Sequence, residues 1–488
     1  MLWFSVVLFY VGALVACGNA NPATMPEPYD TIIVGMGAAG CTAASTLSKA
    51  GQKVLALEAM DRVGGRVNTV PFGDGVVELG AEWIHGQFPS RVYDLAIQNN
   101  VTLLPQEMDF DVYRSDGSAG EKEILNDLLL FSLGVVDDPP AVPEPLGQYI
   151  TRRLTDYIKT KYPHLLNDKD FIDNLLQFID LVIDNYESSN SWNDVSTQSR
   201  YEELGGHQHM SWHRHGYKTL FQILLNTYNN GPGYPNLDIK LQKEVTQITW
   251  PQDPTQDVVV TCKDGTSYRA KNVIVTVSLG VLKERHTSIF SPSLPKDKIQ
   301  AIDNISIGVV DKITLHFPKA WWPKTATFFG FVWNGYDRKK VSKEDFWTTK
   351  IFGASTPMGS LTVLTLWTSG DTAMLVETLP EDVVKRKVME LIRRFMGKNK
   401  TIPEPIAMLR STWFSNPYTR GSYSYDNVLT PQFPNARATL AEPLVDSAGI
   451  PRVLFAGEAT DNTHFSTVHG ATDTGFREAN RLLPQSKL

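Results

Sequence analysis

Residues 31–40 decide the fold, and they read TIIVGMGAAG. The β-branched run at their start predicts a buried strand, and the glycine-rich turn after it opens an alanine-rich segment that predicts a helix ending near Gly51. A second apolar run, at 54–57, is followed by Glu58. This order predicts a Rossmann unit, in which backbone N–H groups approach a pyrophosphate, the carboxylate accepts a ribose hydroxyl, and the 2′-phosphate of NADP is disfavoured. The glycines of this fingerprint are Gly35, Gly37 and Gly40.

Length and composition limit what such a chain can be. Its 488 residues allow two large domains, or one domain with a long insertion, and 42% hydrophobic with 20% charged residues is typical of a folded globular protein. With a formal net charge of -7, the chain lacks the excess of lysine and arginine that is typical of a nucleic-acid-binding protein. The cysteines are too few for a disulfide framework or a cysteine zinc site, and no metal site is predicted. Redox chemistry therefore requires a bound cofactor.

A further pair of glycines distinguishes a site for a flavin cofactor from a site for a nicotinamide cofactor. Residues 61–66 read DRVGGR, shortly after Glu58, and two glycines beside two arginines suit a further phosphate contact on an extended FAD, although an ordinary arginine-flanked turn has the same composition. With these motifs the chain resembles the flavin amine oxidase family, and more closely its animal polyamine oxidase branch, from Tyr29 to about Leu483. The contacts expected in this turn are Arg62, Gly64, Gly65 and Arg66.

The resemblance implies an interwoven fold of the α/β and α+β classes. In it, a Rossmann-type FAD-binding domain alternates along the chain with a substrate-binding domain built from a mixed sheet and helices. The expected FAD-binding pieces are 28–104, 216–300 and 405–488, and the expected substrate-binding pieces are 105–215 and 301–404.

Local patterns give the secondary structure of these pieces. Paired strands are predicted between 240 and 261, and buried strands at 273–277 and 453–456. A proline-rich, acidic segment at 121–147 precedes helix-like periodicity through 149–183. We therefore assign the periodic segment to the substrate-binding domain.

The resemblance also implies contacts to the flavin outside the Rossmann unit. Residues 79–86 read LGAEWIHG, and a terminal helix beginning near Val468 directs its N-terminus at the flavin pyrimidine. A helix dipole and free N–H groups there would stabilise the negative charge that two-electron reduction leaves near N1 and C2=O. The residues expected at FAD in these segments are Gly80, Ala81, Glu82, Trp83, Val245, Gly457, Glu458, Thr467 and Val468.

Lys312 and His85 are the candidates for catalysis. Lys312 lies in the alternating stretch 310–315, where a lysine by default occupies a solvated strand face, but the family places a lysine in this strand, bonded through water to flavin N5. His85 alone is typical of a structural histidine, whereas the resemblance places it in the substrate tunnel, where it orients the amine or assists its deprotonation. Glu82 departs from the less acidic residue expected there, and it either adds a contact to a cation or caps a turn.

Residues 421–425 read GSYSY and select among subfamilies. In monoamine oxidases the position of Ser422 carries a cysteine linked covalently to FAD, so the serine predicts noncovalent FAD. Tyr423 keeps one wall of the two-tyrosine amine cage, whereas Thr467 replaces the second tyrosine, which implies a wider tunnel suited to a linear amine. Glu187 either binds a distal ammonium, as the resemblance implies, or is a surface charge at a helix end.

The function that the resemblance implies is FAD-dependent oxidation of a polyamine, which is spermine, spermidine or an N-acetylated derivative. A carbon next to a secondary amine is oxidised, giving a shorter amine, an aldehyde and hydrogen peroxide, with oxygen as the acceptor. The alternatives are an L-amino-acid oxidase, which needs an arginine that binds a carboxylate, and a flavin-binding scaffold without turnover.

Two targeting signals predict different compartments. The apolar run at 2–16 predicts a signal peptide over 1–20, hence a secreted or lumenal protein with no stable membrane span. The final residues, Ser486-Lys487-Leu488, match a peroxisomal address, and a start at Met25 would remove the leader and leave this address. Three sequons agree with passage through the secretory pathway, at Asn100, Asn304 and Asn399.

Overall fold

The computed structural model describes residues 27–324, 326–398 and 400–484. The predicted signal peptide, the C-terminal tripeptide and the sequon asparagine Asn399 lie outside the described residues. The α-helices span Ala38–Lys49, Arg91–Gln98, Lys122–Gly134, Leu146–Lys161, Lys169–Glu187, Lys218–Leu224, Leu279–Ile289, Lys296–Asn304, Gly335–Lys339, Gly370–Thr378, Glu381–Met396, Ala436–Ala441 and Val468–Arg481. Short 3-10 helices span Val135–Asp137, Pro163–Asn167, His213–His215, Tyr228–Asn230, Phe346–Lys350, Thr430–Gln432 and Glu458–Thr460.

The largest sheet has nine strands and contains the predicted Rossmann unit. Strand Tyr29–Val34 pairs in parallel with Val54–Leu57 on one side and with Ser267–Val275 on the other. The Rossmann prediction is therefore confirmed, as is the antiparallel pair predicted between 240 and 261. In order across the sheet, the strands are Phe290–Ser291, Val245–Thr249, Val258–Cys262, Ser267–Val275, Tyr29–Val34, Val54–Leu57 and Leu237–Lys240, with Pro451–Phe455 pairing to Ser267–Val275 and Leu444–Val445 pairing to Pro451–Phe455.

Both faces of this sheet are buried, because successive residues of a strand point to opposite faces. Ile33 packs in one hydrophobic core with Leu47 of the first helix. Its neighbours Ile32 and Val34 pack in a second core with Leu282. This double burial explains why the first strand is an unbroken β-branched run rather than an alternating one.

The terminal helix Val468–Arg481 begins where the sequence predicts and packs on the first helix. An ideal Cβ at Gly475 would lie 2.1 Å from the carbonyl oxygen of Ala39, so a side chain there would separate the two helices. Glycine at this position therefore lets both helix N-termini approach the same region of the sheet. No helix in the described part of the chain is long and apolar enough to cross a membrane.

A second sheet has six strands and two separate hydrophobic faces. Phe328 packs with Phe178 of helix Lys169–Glu187, whereas the next residue, Phe329, packs with Ile392 of helix Glu381–Met396. The sheet order is Ala407–Arg410, Val310–His316, Val363–Ser369, Gly353–Ser355, Phe328–Val332 and Phe110–Arg114. Smaller sheets join Thr69–Phe72 to Gly75–Glu78, Trp83–Ile84 and Leu104–Pro105 to Met210–Ser211, and Ser306–Ile307 to Ser424–Tyr425.

Two segments differ from the predictions. Strand Ala407–Arg410 pairs with Val310–His316 in the six-stranded sheet, so the boundary expected at 405 separates this strand from the sheet with which it pairs. The proline-rich, acidic segment contains the helix Lys122–Gly134, which its overall composition does not indicate. Both outcomes depend on contacts with distant parts of the chain, since Leu128 of this helix packs in the same core as Phe178.

Candidate functional site

A cavity of about 830 Å³ is lined by residues of both large sheets. Its wall combines the Rossmann turns with Lys312 and Trp367 of the six-stranded sheet and with the C-terminal turn of helix Lys169–Glu187. The structure thus brings together most of the site residues predicted from the sequence. Those that line the cavity are Gly35, Gly37, Glu58, Gly64, Gly65, Arg66, Gly80, Ala81, Glu82, Trp83, His85, Glu187, Val245, Lys312, Tyr423, Gly457, Glu458, Thr467 and Val468.

At the Rossmann end, Glu58 holds the two glycine turns together. Its carboxylate accepts a hydrogen bond from the backbone N–H of Met36 at 2.7 Å and another from that of Met60 at 2.8 Å. Burial raises the pKa of Glu58, although these N–H groups oppose the rise. Each carboxylate oxygen can accept further bonds, so Glu58 can hold the turns and still accept a hydroxyl from the cavity.

Gly40 and Arg62, which the sequence predicts at the cofactor, do not line the cavity. An ideal Cβ at Gly40 would lie 2.0 Å from the carbonyl oxygen of Gly35, so this glycine serves close packing of the helix start on the turn. The guanidinium of Arg62 donates to the backbone carbonyls of Val63, Gly65 and Val67, and it therefore braces its own loop. In the same loop, Arg66 does line the cavity.

Arg66 and Glu458 connect the Rossmann loop to the terminal helix. Arg66 donates to Glu458 at 2.9 Å and to the carbonyl oxygen of Ser422 at 2.7 Å. Glu458 also accepts from the hydroxyl of Ser424 at 2.7 Å and from the N–H of Ser466 at 2.9 Å. Burial would raise the pKa of Glu458, but Arg66 and the other donors hold it below its ordinary value.

The hydroxyl of Thr467 is used to cap the terminal helix. It accepts from the N–H of Gly470 at 3.0 Å and donates to the carbonyl oxygen of His464 at 2.6 Å. Thr467 and Val468 nevertheless line the cavity, at a helix N-terminus that favours negative charge. The contribution of Thr467 to the site is therefore the position of this helix end rather than a free hydroxyl.

This end of the cavity fits an FAD. An ideal Cβ at Gly37 meets no heavy atom closer than 4.0 Å, and one at Gly457 meets nothing within 4 Å, so the backbone at both turns is open. The glycine turns, Glu58 and the helix end at Val468 supply the donor and acceptor types that a dinucleotide requires. A bound flavin would supply the two-electron redox chemistry that these side chains lack.

Lys312 and Glu82 form a buried ion pair in the cavity wall. The Nζ of Lys312 lies 2.6 Å from Oε2 of Glu82, and the two side chains are 4% and 6% exposed. Nζ also donates at 2.9 Å to the carbonyl oxygens of Glu78 and Gly80. Lys312 is therefore not the solvated strand lysine that its alternating sequence predicts by default.

Tryptophan rings surround this ion pair. The Nζ of Lys312 lies 4.4 Å from the ring centre of Trp367, which faces it across the antiparallel strands, and 6.0 Å from that of Trp83. The rings of Trp83 and Trp367 stack 5.9 Å apart. The aromatic faces thus add to the stabilisation of the lysine cation.

His85 presents a defined tautomer. Its Nδ1 lies 2.8 Å from the carbonyl oxygen of Gln208, and since a carbonyl only accepts, Nδ1 carries the hydrogen. Burial lowers the pKa of His85, so the neutral ring keeps a lone pair on Nε2. The neighbouring His209, 5.7 Å away between ring centres, also lines the cavity, and burial lowers its pKa to about 3.

Tyr423 and Glu187 lie at the C-terminal end of helix Lys169–Glu187. The hydroxyl of Tyr423 donates to the carbonyl oxygen of Asn185 at 2.7 Å, which fixes the ring against the helix end. Glu187 lines the cavity beside this end, and burial, followed by the charge of Asp426, raises its pKa to about 7. The structure thus favours the cavity position for Glu187 over a charge on the outer surface.

Charge is divided unevenly along the cavity. Each lysine or arginine that lines it is ion-paired: Arg66 with Glu458, Lys243 with Asp264, Arg285 with Glu244, and Lys312 with Glu82. In contrast, four lining carboxylates have no ion pair with any described residue: Glu58 at the Rossmann turns, and, away from them, Asp137, Glu187 and Glu203. The last two acids interact electrostatically with Tyr201, which places them in one region of the cavity.

Sequence reasoning missed Trp367, His209, Asp137 and Glu203. Trp367 has no local signal, because its position depends on strand register with Lys312. Two imidazoles spaced as in His207-Gln208-His209 are a local signal that could have drawn attention to His209. Asp137 ends the short 3-10 helix Val135–Asp137 and Glu203 lies in an irregular segment, and at neither place does the sequence indicate which charges face inward.

Comparison with known proteins identifies the family. The human peroxisomal N(1)-acetyl-spermine/spermidine oxidase is 30% identical, over 93% of this chain and 94% of that protein. Probable polyamine oxidase 5 of Arabidopsis thaliana is 28% identical, over 93% and 98% of the two chains. The lysine-specific histone demethylase 1 homolog 2 of Oryza sativa subsp. japonica is 27% identical, over 98% of this chain and 60% of that protein. The family model described as flavin containing amine oxidoreductase matches residues 38–483, and the chain therefore belongs to this family.

Proposed function

We propose that the protein is a polyamine oxidase that binds FAD noncovalently and uses oxygen as its acceptor. It oxidises spermine, spermidine or an N-acetylated derivative at a carbon next to a secondary amine, and water hydrolyses the resulting imine, which gives a shorter amine and an aldehyde while oxygen leaves as hydrogen peroxide. The observation that carries this proposal is the set of unpaired carboxylates in a cavity whose lysines and arginines are all ion-paired.

This charge distribution suits a flexible molecule with several ammonium groups. Glu187 is half-buried, whereas Asp137 and Glu203 are exposed, so carboxylates are present both at depth and near solvent. A partly desolvated carboxylate such as Glu187 gains more from a cation than a fully hydrated one does. We therefore assign Glu187 to a distal ammonium, with Tyr423 as an apolar wall along the chain of the substrate.

His85 is assigned to the reacting amine. Its neutral ring has one lone pair, on Nε2, because Nδ1–H is donated to Gln208. An ammonium has no lone pair and is a poor hydride donor, so a group that takes its proton prepares the amine for oxidation. The chemistry that a bound FAD would supply here is that of a hydride acceptor that oxygen can reoxidise.

Noncovalent attachment is proposed from the residue at 422. The hydroxyl of Ser422 donates to the carbonyl oxygen of Val310 at 2.9 Å and accepts from its N–H at 2.8 Å. Among the described residues, Cys41 and Cys262 are buried cysteines, and neither lines the cavity. The described wall therefore offers no thiol for a covalent bond to flavin.

The arginines argue against the amino-acid oxidase alternative. Such an enzyme needs an arginine free to bind a carboxylate, but in the described wall Arg66 and Arg285 are both paired with glutamates. The human relative is named for an acetylpolyamine substrate and for the peroxisome, which supports the polyamine proposal and the alternative peroxisomal location. The relatives give no support to the secretory prediction.

The test is hydrogen peroxide release by the purified, flavin-loaded protein. We expect peroxide with spermine or N-acetylspermine and none with an L-amino acid or an N-methylated lysine peptide. Glu187→Gln should raise KM about tenfold, the scale of one partly buried charge contact. The matched surface change Asp156→Asn should leave KM unchanged, because Asp156 lies outside the cavity and pairs with Lys159. A flavin-loaded protein that releases no peroxide with any polyamine would support the scaffold alternative.

A further inference from the structure

We propose that Glu82 keeps the Lys312 region of the cavity free of net charge, and that it thereby sets how tightly a cationic amine binds there. The inference rests on the proposed function, since it concerns the binding of an ammonium ligand. It assigns a specificity role to a residue for which the sequence leaves two alternatives, a contact to a cation or a turn cap.

The ammonium of Lys312 has an acceptor within the protein for each of its hydrogen-bond donors. A lysine ammonium has three N–H donors and no acceptor. The three acceptors around Nζ are Oε2 of Glu82 at 2.6 Å and the carbonyl oxygens of Glu78 and Gly80 at 2.9 Å. All three donors are therefore used within the protein, and in this arrangement no N–H of Lys312 is left to donate a hydrogen bond to a water molecule.

Glu82 and Lys312 together carry no net charge, whether the proton between them lies on nitrogen or on oxygen. Without the carboxylate, a positive charge in a wall only 4% exposed would face any ammonium that enters the cavity. Two like charges about 6 Å apart in a protein-like medium oppose binding by a factor on the order of 10².

The other lysine and arginine side chains of the cavity wall are ion-paired in the same way. Arg66, Lys243 and Arg285 each have a carboxylate partner, so the rule holds at every lining lysine or arginine that the structure describes. A cavity suited to polycations thus contains fixed cations only as neutral pairs. Glu82 provides the same neutralisation for Lys312, which lies beside the rings of Trp83 and Trp367.

The experiment is a charge cycle read by ligand binding to the oxidised, flavin-loaded protein. The probe is 1,8-diaminooctane, a linear dication without a secondary amine, and the signal is the change it causes in flavin absorbance. We expect Glu82→Gln to weaken binding about 10²-fold and Lys312→Met, which leaves the carboxylate unpaired, to tighten binding about tenfold or more. The double variant should return to within about threefold of the wild-type affinity, because both changes together restore neutrality.

The opposite signs and their cancellation separate charge from structure. If Glu82 only supported the fold, both single changes would weaken binding and the double variant would be weakest, which would overturn the proposal. The double variant also decides the matter if one single variant loses its flavin, since neutrality predicts wild-type affinity and a supporting role predicts loss. If the wild-type protein releases peroxide with spermine but the two single variants do not shift the affinity in opposite directions, only this inference is rejected. If the wild-type protein neither binds the diamine nor releases peroxide, the proposed function is rejected as well.

Asp446→Asn is the matched control. Asp446 forms an equally buried ion pair with Arg452, with side chains 0% and 6% exposed, and it does not line the cavity. This change should lower the thermal unfolding temperature while leaving the affinity for 1,8-diaminooctane unchanged. A comparable loss of affinity in this control would show that buried charges act on binding through stability, and it would overturn the proposal.

Discussion

Replacing His85 tests whether its free ring nitrogen accepts the proton of the amine. His85→Asn keeps an N–H close to the position of Nδ1, so the bond to the carbonyl oxygen of Gln208 can persist, but it removes the acceptor at Nε2. His85→Gln places an amide oxygen near Nε2 instead. The two variants therefore separate the structural bond of the ring from its function as a proton acceptor.

We expect His85→Asn to lower kcat/KM for spermine by about 10² to 10⁴, the range of a positioned general base. His85→Gln should raise KM less than His85→Asn does, because it keeps an acceptor for the ammonium. It should lower kcat by a similar factor, because an amide does not take up a proton. Flavin content should stay at the wild-type level, since the Rossmann contacts of Glu58 and Arg66 lie on other segments.

The pH dependence provides the stricter check. Burial lowers the pKa of His85, so its ring stays neutral and able to take a proton down to a pH below the ordinary histidine range. The wild-type kcat/KM should therefore fall on the acid side of that range, and this limb should vanish in His85→Asn. Initial rates of peroxide release from about pH 5 to 9 measure both quantities. An unchanged acid limb, with rates within about threefold of the wild type, would reject His85 as the proton acceptor.

Three further predictions concern Lys312, Ser422 and His469. Lys312→Met leaves the carboxylate of Glu82 unpaired in the cavity wall, and this negative charge opposes the negative charge that reduction adds to a flavin. The variant should therefore slow anaerobic flavin reduction or its reoxidation by oxygen about 10²-fold in stopped-flow absorbance, and normal rates in both with FAD bound would reject a role of the Lys312 charge in catalysis. Acid denaturation should release all flavin into the supernatant because Ser422 offers no thiol, and colour in the pellet would contradict noncovalent binding. Burial lowers the pKa of His469 to about 3, so the unfolded chain takes up a proton first as pH falls, and stability is lost below about pH 6.5. Between about pH 7 and pH 5, His469→Gln should therefore lose about 2 kcal/mol less of its free energy of unfolding than the wild type, as measured by urea unfolding. An equal loss in both proteins would refute the lowered pKa of His469.

The Rossmann unit could be predicted from the sequence because its signals are local. The strand, glycine turn, helix and second strand follow one another between Tyr29 and Leu57, and the structure has each of them at the predicted place. The terminal helix was predictable for the same reason, since its start at Val468 is preceded by a threonine that caps it. In such segments neighbouring residues determine the backbone, and distant contacts only add to it.

The substrate side of the cavity depends on contacts that no local pattern contains. Lys312 meets Glu82 across 230 positions of the chain, and it meets Trp367 through strand register. The alternating pattern around Lys312 correctly predicts a strand, but it places Lys312 by default on a face exposed to solvent. The sequence does not indicate that other elements cover both faces of this sheet. Arg62 shows that a local motif does not determine the partner of a side chain, since its motif suits a phosphate while its side chain donates to carbonyls of its own loop.

The position of Glu82 illustrates why a departure from a family pattern has to be interpreted with its partner. As a single residue, a glutamate in LGAEWIHG looks like an added contact for a cationic ligand. In the structure its carboxylate lies 2.6 Å from the Lys312 ammonium, and one full charge cancels the other. Its net contribution to the field in the cavity is therefore small, whereas the unpaired Glu187 contributes a charge with no cation beside it among the described residues. Attraction of a polyamine would thus come mainly from the acids near Tyr201. The Lys312 region would then have to avoid repelling the ligand, which is why the sign of the effect differs between Glu82 and Lys312.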